Sequence, residues 1–193
     1  MNAWRVEVLN DIVRAEIAAL PEDIRARLTH IVEMMIAVGP ERMKAPHVKP
    51  LRDKLWEMRM SGRDGVARAI YVTMRGRRIV ILHAATGDPS GACACKGVGV
   101  MAIPFKKLKD EWMKDPAFRA EYERLKPEFA LALALIKART KAGMTQADVA
   151  KKMRTTQSVI ARIESGRNPP NLKTLERYAN AIGRRIEIKL VAA

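Results

Sequence analysis

The sequence predicts two domains: an α+β domain of helices and a small antiparallel sheet, then an all-α domain with a C-terminal strand. In the first half, apolar and polar residues alternate over short runs, which is typical of half-buried strands. In the second half, apolar residues recur at helical spacing between residues that favour helix starts. The length of 193 residues accommodates one or two such domains.

The chain is strongly basic, with 36 Lys and Arg residues, 21 Asp and Glu residues and a net charge of +15. The second half, from Met101 onward, carries 20 of the 36 basic residues. This charge favours a polyanionic partner, with nucleic acid ahead of an anionic membrane.

Several classes of protein and of site are excluded by simple patterns. The first residues lack an apolar signal core, and no apolar run is long enough to span a bilayer. We therefore expect a soluble cytoplasmic protein with no membrane partner. Cys93 and Cys95 stand one residue apart, without a second Cys or His pair. They predict neither a disulfide framework nor a structural metal, and we expect no cofactor.

The first domain is predicted to contain a leading strand, a helix and a three-stranded meander. Trp4, Val6 and Val8 alternate with charged residues, as in a strand. Pro21 begins a helix that ends at Gly39. The meander strands cover residues 55–60, 66–74 and 77–84, with a hairpin turn at Arg75-Gly76. We expect the second of these strands to place Val66, Ile70, Val72 and Met74 on one face, which Arg68 interrupts.

Residues 86–100 lack any periodicity and are rich in Gly, Ala and Val. They predict a linker between a domain at residues 1–85 and a second domain at residues 101–193.

The second domain is predicted to be helical until its end. Phe105 begins a short basic helix, and Pro116 and Pro127 each begin a further helix. Thr145, Thr156 and Asn171 are candidate N-caps of three more helices. In the last of them, the core positions are predicted to be Leu172, Leu175, Ala179 and Ile182. Ile186, Ile188 and Leu190 then alternate with charged residues, which predicts a strand that pairs with the first sheet or with a second chain.

The stretch MTQADVAKKMRTTQSVIARIESG predicts two helices joined by a tight turn. Its apolar residues supply a buried corner: Val149, Met153, Ile160 and Ile163. Its second helix leaves short polar groups on an outer face, as a helix that reads the major groove requires. The predicted outer face consists of Gln157, Ser158, Ala161, Arg162 and Ser165.

This stretch resembles the helix-turn-helix family of the lambdoid phage repressors and Cro, often called Xre. The motifs TQADVA, TTQSVIARIESG and NPPNLKTLERYANAIG carry the resemblance, which runs from about Leu133 to Ile182. It implies a lambda-repressor-like domain at about residues 129–183, operator DNA as the partner, and a homodimer that reads two half-sites. The alternative is a four-helix protein-binding domain whose polar face is only solvated.

The resemblance also assigns DNA-contacting residues by motif position. These are Gln146, Thr156, Gln157, Ser158 and Arg162, and Lys152 joins them as a candidate phosphate contact. Gln146, at the start of the preceding helix, is expected to meet a phosphate. Arg154 stands where the family usually has Gly, so the turn is expected to place a non-Gly residue in the left-handed region.

The segments LPEDIRARL, HVKPLRDKLWEMRMSGRDGVARAIYV and GRRIVILHA resemble HigB-type toxins of the Gp49-like branch. These toxins belong to the RelE superfamily of ribosome-dependent mRNA endonucleases, and the resemblance covers residues 4–84. The opening MAIPFKKLKDEWMKDPAFRAEY, which precedes the repressor-like domain, resembles the HigA-type antitoxin partner. The chain thus resembles a toxin–antitoxin pair fused in one polypeptide, with Met101 at the place of an antitoxin start.

The RelE-like resemblance implies mRNA on the ribosome as substrate. Cleavage through the 2′-hydroxyl requires a base, stabilisation of the phosphorane charge and protonation of the leaving oxygen. Arg59 and Arg68 are the candidates for holding the phosphate bidentately. Tyr71 and Lys49 are candidates for base stacking or proton transfer, and His83 for an acid or base. Two simpler readings remain open: Arg68 in a salt bridge to Glu57, and His83 as a hydrogen-bonded strand-end residue.

The chain lacks a basic segment that is usual in the toxin family. In that family the third meander strand leads into a basic Lys-Lys-Thr-x-x-Thr-Pro segment and a helix, whereas this chain continues as TGDPSGACACKGVGV. We therefore expect weakened nuclease activity. Three functions compete: a fused toxin–antitoxin, a DNA-binding regulator whose degenerate nuclease-like domain serves dimerisation or docking, and an interaction protein with neither activity.

Overall fold

The computed structural model describes residues 3–52, 54–63, 65–87 and 102–188. The chain divides into two compact units, Met1–Pro127 and Glu128–Ala193. The first combines a sheet with helices and the second is helical, which confirms the predicted fold class. Most of the predicted linker, including Cys93 and Cys95, lies outside the described residues, and so does Met101.

The first unit is built on a six-stranded sheet with the strand order β2-β3-β4-β5-β1-β6. Its strands are β1 (Arg5–Val8), β2 (Val48–Pro50), β3 (Leu55–Gly62), β4 (Gly65–Met74), β5 (Arg78–Thr86) and β6 (Ile103–Pro104). β1 pairs with β5 in parallel, and the other neighbours are antiparallel. The leading strand and the three-stranded meander are confirmed. β2 and β6 were not predicted, because they are too short to show a period.

Two helices follow β1. The first, α1 (Asp11–Ala18), was not predicted. Asn10 caps it, because its side chain accepts a 3.0 Å hydrogen bond from the Val13 backbone N–H. The predicted helix after Pro21 is α2 (Glu22–Val38), and Gly39 ends it with a φ of 86°. The apolar residues of α2 are buried at the predicted spacing: Ile24, Leu28, Ile31 and Met35. A short 3-10 helix, Pro40–Arg42, follows.

The predicted apolar face of β4 is the less buried of its two faces, although Ile70 on it is only 5% exposed. Ala67, Ala69 and Tyr71 are fully buried, whereas Val66 is 44% and Met74 is 49% exposed. Ala67 and Ala69 lie opposite Met60 and Met58 of β3, which are buried as well. The small alanines leave room for the two methionines, so here packing across the strands overrides the size of the β4 side chains.

The helices after β6 are α3 (Phe105–Trp112) and α4 (Pro116–Lys141). The predicted helix start at Pro127 is wrong, because α4 continues through this residue. A proline in a helix interior removes a hydrogen bond and costs roughly 3 kcal/mol. Leu125 and Phe129, on either side of it, are both buried. Burial of large apolar side chains is favourable and opposes that cost. The border between the two compact units falls at Pro127, within α4.

The second unit continues with three short helices after the end of α4. These are α5 (Gln146–Lys152), α6 (Gln157–Ile163) and α7 (Leu172–Ala181). Thr145 and Asp148 form a capping box at the start of α5, and Asn171 caps α7. The four predicted corner residues are buried together with Ala150 and with two residues of the last helical region, Tyr178 and Ile182.

One expectation for the last helix is wrong: Leu172 is 50% exposed instead of buried, and Tyr178, which was not predicted, is fully buried. Residues 184–188 form no strand with the first sheet, and Leu190 lies outside the described residues. Pairing of this segment with a second chain stays a prediction. A strand needs a partner for its backbone groups, and the alternating pattern alone does not supply one. Among the described residues, no helix combines the length and apolar character needed to cross a membrane.

Candidate functional site

The first candidate site is the outer face of α6. The predicted contact residues Thr156, Gln157, Ser158 and Arg162 are all exposed. Thr156 is the N-cap residue, but its side chain caps no backbone N–H and instead lies 2.8 Å from the Ser158 hydroxyl. Ala161 and Ser165, also predicted on this face, are buried. The exposed polar surface is therefore concentrated in the first turn of α6, with Arg162 one turn further on.

Gln146 occupies a different position from the one expected. Only 3% of Gln146 is exposed, and its amide donates a 2.9 Å hydrogen bond to the Glu164 carboxylate. Its carbonyl oxygen accepts a 3.5 Å hydrogen bond from Gln157. In this structure Gln146 thus connects the start of α6 to the interior of the unit.

Glu164 is the centre of this buried network. It accepts two hydrogen bonds from the Arg139 guanidinium, at 2.6 and 3.0 Å, and one from the Tyr178 hydroxyl. Arg139 also donates to the Met144 carbonyl at 3.0 Å. Burial opposes the charged form of Arg139, but its bonds to Glu164 raise its pKa above the usual value. Because the network joins α4, α5, the end of α6 and α7, it holds the helix-turn-helix geometry.

The turn between α5 and α6 contains Arg154. Its φ is 52°, which confirms the left-handed backbone expected where a Gly is usual. Lys152, at the end of α5, is exposed, as a phosphate contact requires.

The second candidate site lies on β3 and β4 of the first unit. Arg59 and Arg68 are directly opposite each other across the two strands, so they share one face of the sheet. Glu57 forms ion pairs with both arginines: Arg59 Nε donates to Oε1, and Arg68 Nη1 lies 3.6 Å from Oε2. The Glu57 side chain is only 5% exposed, whereas Arg59 is 37% and Arg68 24% exposed. Two accessible guanidinium groups thus surround one buried carboxylate.

Two other candidates extend this cluster across the sheet. Lys49 of β2 lies opposite Glu57 and is exposed. His83 of β5 lies opposite Ile70, the β4 partner of Glu57. The Nδ1 atom of His83 is 2.9 Å from a Glu16 carboxylate oxygen, which also accepts the Ala84 backbone N–H. The hydrogen-bonded reading of His83 therefore has an observed partner, and Lys49 remains accessible.

Tyr71 is fully buried and stacks on Trp56, with ring centroids 6.5 Å apart. Burial raises the pKa of its hydroxyl. Both observations suit a role in packing, and in this structure the Tyr71 ring is not accessible to an RNA base.

Segment 102–127 packs within the first unit, where β6 pairs with β1 and most of the side-chain contacts are to α2. The His30 and Tyr122 rings stack at 4.2 Å, and His30 donates a 3.0 Å hydrogen bond to the Tyr122 carbonyl. The Arg25 guanidinium lies over the Trp112 and Phe118 rings, 5.7 Å from each centroid. Ion pairs add to the contact, among them Arg14 with Glu111 at 2.8 Å and Arg63 with Glu121 at 2.9 Å.

Glu33 is the polar centre of this contact. It accepts hydrogen bonds from Lys109 and from the Tyr122 hydroxyl, and His30 Nδ1 lies 3.5 Å away. Burial opposes ionisation of Glu33, but bonds from His30, Lys109 and Tyr122 outweigh it and lower its pKa from 4.5 to about 2. The carboxylate is therefore charged throughout the neutral range. Within the described ranges, no group of three or more His, Cys, Asp and Glu residues is placed to hold a metal ion.

Two regions of the chain, one in each compact unit, match known protein families. Residues 15–86 match the family described as "Phage derived protein Gp49-like (DUF891)", and residues 135–188 match the family described as "Helix-turn-helix". The chain joins a Gp49-like region to a helix-turn-helix region. The arginine cluster of β3 and β4 lies in the Gp49-like region, and the exposed start of α6 lies in the helix-turn-helix region.

Two curated relatives share the name "Antitoxin HigA1", both from Mycobacterium tuberculosis, strains CDC 1551 / Oshkosh and ATCC 25618 / H37Rv. Each is 34% identical to this chain over 76 residues, which is 39% of this chain and 51% of the relative. The chain thus spans about half the length of these curated relatives.

Sequence reasoning missed Arg139 and Tyr178 as partners of Glu164. One signal was present: each is a polar or charged residue at an otherwise apolar helical position. It also missed the contact centred on Glu33, because no local pattern connects residues 76 positions apart.

Proposed function

We propose that this protein is a DNA-binding regulator of the toxin–antitoxin type. Its helix-turn-helix region binds operator DNA as a repressor. The C-terminal half also masks or stabilises the Gp49-like region, with segment 102–127 supplying stabilising contacts to α2. The observation that carries the DNA-binding proposal is the exposed polar start of α6. Hydrogen bonds join this start, through Gln157, to the buried residues Gln146 and Glu164. Gln bonds adenine and Arg bonds guanine bidentately in the major groove, so Gln157 and Arg162 are the base-reading residues.

The protein binds its operator as a homodimer, with two half-sites about 34 Å apart. This spacing places two copies of α6 in successive major grooves on one side of the duplex. Sedimentation velocity, with and without the duplex, measures the number of chains on the site.

For the Gp49-like region, we propose an endoribonuclease acting on ribosome-bound mRNA. Arg59 and Arg68 hold the scissile phosphate, since they share one face and remain accessible. Lys49, which lies opposite Glu57, is a further cation on that face. Tyr71 is left out of the proposed site because it is buried.

A second function for this region has its own support. The buried Glu57 carboxylate already neutralises part of the charge on Arg59 and Arg68. The stacking and ion-pair contacts with segment 102–127 suit a docking role. In this alternative the Gp49-like region is inactive and the protein is a DNA-binding regulator only.

Two measurements test these proposals. Duplexes selected from a random library by the full-length protein give the operator, and fluorescence anisotropy gives its affinity. Failure to enrich any sequence would contradict the repressor function. Ribosome-bound mRNA is then incubated with the full chain and with residues 1–100, whose folding is checked by circular dichroism.

Cleavage by the folded fragment and not by the full chain supports a masked nuclease. Arg59→Ala and Arg68→Ala should abolish that cleavage, and Arg75→Ala, an exposed arginine in the β4–β5 hairpin, should not. No cleavage by a folded fragment favours the docking alternative.

A further inference from the structure

Two adjoining hollows lie beside α6 in the second unit. One, of about 370 Å³, is lined by Arg162, Asn168 and Asn171, and the other, of about 540 Å³, by Lys152, Arg154 and Asn180. Both share Met153 and Arg177, so they form one continuous surface, here called the basic groove. It begins at Arg162 on the exposed face of α6.

The basic groove is strongly positive. Lys152, Arg154, Arg162 and Arg177 line it, and none of the residues lining either hollow is Asp or Glu. From Glu128 to the C-terminus the chain has 13 Lys and Arg residues and 5 Asp and Glu residues. Among the five, Glu164 is buried and Asp148 accepts hydrogen bonds from Thr145, so neither faces the groove as a free carboxylate.

Arg154 is held in the groove at a conformational cost. A left-handed backbone is unfavourable for an L-residue with a side chain, and a Gly avoids this cost. The Arg154 side chain is exposed and makes no hydrogen bond or ion pair to any residue that the structure describes. No intramolecular contact of this side chain therefore offsets the cost, and its charge is directed to solvent.

Arg177 gives the groove a fixed wall. Its Nη2 atom donates a 2.8 Å hydrogen bond to the Met153 carbonyl at the end of α5. This bond ties α7 to the turn that carries Arg154. The Arg177 guanidinium is thus held in place before any ligand arrives.

We propose that the basic groove binds the sugar–phosphate backbone of DNA adjoining the bases that α6 reads, with Arg154 as a phosphate-contacting residue. Continuity with Arg162 and the absence of lining carboxylates favour a duplex backbone over an unrelated anion. The inference rests on the proposed DNA-binding function and adds a second, sequence-independent part to the interface.

The test uses the full-length protein and a selected duplex extended by flanking base pairs. Arg154→Gly removes the charge and relieves the backbone, whereas Arg154→Ala removes the charge and keeps the left-handed residue. Both variants should raise the Kd several-fold on selected and random duplexes alike. Both should also reduce the slope of log Kd against log salt concentration by about 0.9, the value for one lost phosphate contact.

A matched control separates charge at the groove from charge in general. Arg77 is also exposed and has a φ of 57°, but it lies in the β4–β5 hairpin of the first unit. Arg77→Gly makes the same chemical change and should leave both the Kd and the salt slope unchanged. Urea unfolding should show that Arg154→Gly is at least as stable as the wild type, so that weaker binding does not reflect unfolding.

The outcomes distinguish this inference from the function on which it rests. An unchanged Kd and salt slope for Arg154→Gly, with Gln157→Ala still losing sequence discrimination, overturns the groove and leaves the repressor function in place. Wild-type protein that binds no duplex overturns both. An effect of Arg154→Gly on single-stranded RNA alone assigns the groove to RNA and overturns the proposal for DNA.

Discussion

The Glu164 carboxylate and the Arg139 guanidinium form a bidentate ion pair inside the second unit, with hydrogen bonds of 2.6 and 3.0 Å. Their side chains are 2% and 5% exposed. Tyr178 and Gln146 each donate a further hydrogen bond to the Glu164 carboxylate. A buried pair of this kind is stabilising only while it is complete, because removing one partner leaves the other charge in the interior.

Arg139→Met should therefore lower the free energy of unfolding by about 3–5 kcal/mol. Urea unfolding followed by circular dichroism measures the loss. Lys137→Met, an exposed change on the same helix, is the control and should have little effect. In the double variant Arg139→Met/Glu164→Gln, part of the stability should return, since the stranded charge is gone. A double variant no more stable than Arg139→Met would argue against the ion pair as the cause.

Gln146→Ala should destabilise the second unit by about 1.5–3 kcal/mol, because Glu164 loses a hydrogen bond to a charged group. The same change should weaken DNA binding through Gln157, which donates to Gln146. Urea unfolding and anisotropy on the same preparation give the two values. Unaltered stability together with weaker binding would instead favour the direct phosphate contact first expected of Gln146.

Gln157→Ala should lose discrimination at one operator base pair by roughly 1–3 kcal/mol, since it removes a bidentate base contact. Lys152→Ala should weaken operator and random DNA about equally, because a phosphate contact carries no base information. Anisotropy on the operator and on single-base variants distinguishes the two. An equal loss on operator and random DNA for Gln157→Ala would contradict the placement of α6 in the major groove.

Glu33 links the stability of the first unit to pH. Hydrogen bonds lower its pKa in the folded protein to about 2, below its value of 4.5 in an unfolded chain. Its contribution is therefore fully present above pH 4.5 and is lost as the pH falls toward 2. Glu33→Gln should be less stable than the wild type at neutral pH, and this difference should shrink below pH 4.5.

Thermal unfolding as a function of pH tests this linkage. Glu123→Gln is the control, because Glu123 is paired with Lys126 at an exposed position and should change little. A Glu33→Gln difference that stayed constant down to pH 2 would rule out the depressed carboxyl as its source.

Phe118→Ala should destabilise the first unit by about 3–5 kcal/mol, since Phe118 is fully buried against Trp112 and Tyr122. Arg119→Ala, at the exposed neighbouring position, should have little effect. Hydrogen exchange measured by mass spectrometry should locate the loss of protection in α2 as well as in α4. Loss confined to residues after Pro127 would contradict the packing of segment 102–127 on the first unit.

Local sequence patterns were sufficient to predict those helices and strands that bury one face against a core. The meander, α2 and the buried corner of α5 and α6 follow from periods of two or 3.6 residues and from their capping residues. The left-handed backbone at Arg154 was also predictable, because the tight turn between two helices requires it whatever residue stands there. The Arg68–Glu57 contact was predicted as one of two readings, since the two residues lie close on neighbouring strands.

Other features depended on distant parts of the chain. Tyr71 has the aromatic ring that stacking on an RNA base requires, but it is fully buried. It lies on the same face of β4 as Ala67 and Ala69, and that face packs against the core. Pro127 has the character of a helix start and is crossed by α4, because Leu125 and Phe129 are buried on either side of it. Residues 184–188 have the alternation of a strand and form none, since alternation does not supply a hydrogen-bonding partner.

The sequence by itself determined the order of an α+β part and a helix-turn-helix part, the cationic character of the chain, and the exposed residues at the start of α6. These depend on local propensity, periodicity and charge, which are properties of neighbours in the chain. Only the tertiary structure decided that Gln146 donates a hydrogen bond to Glu164, and that Glu33 accepts hydrogen bonds from Lys109 and Tyr122. The reason is physical: burial and pairing of a charged group depend on which distant residues reach it, and a local pattern does not record that.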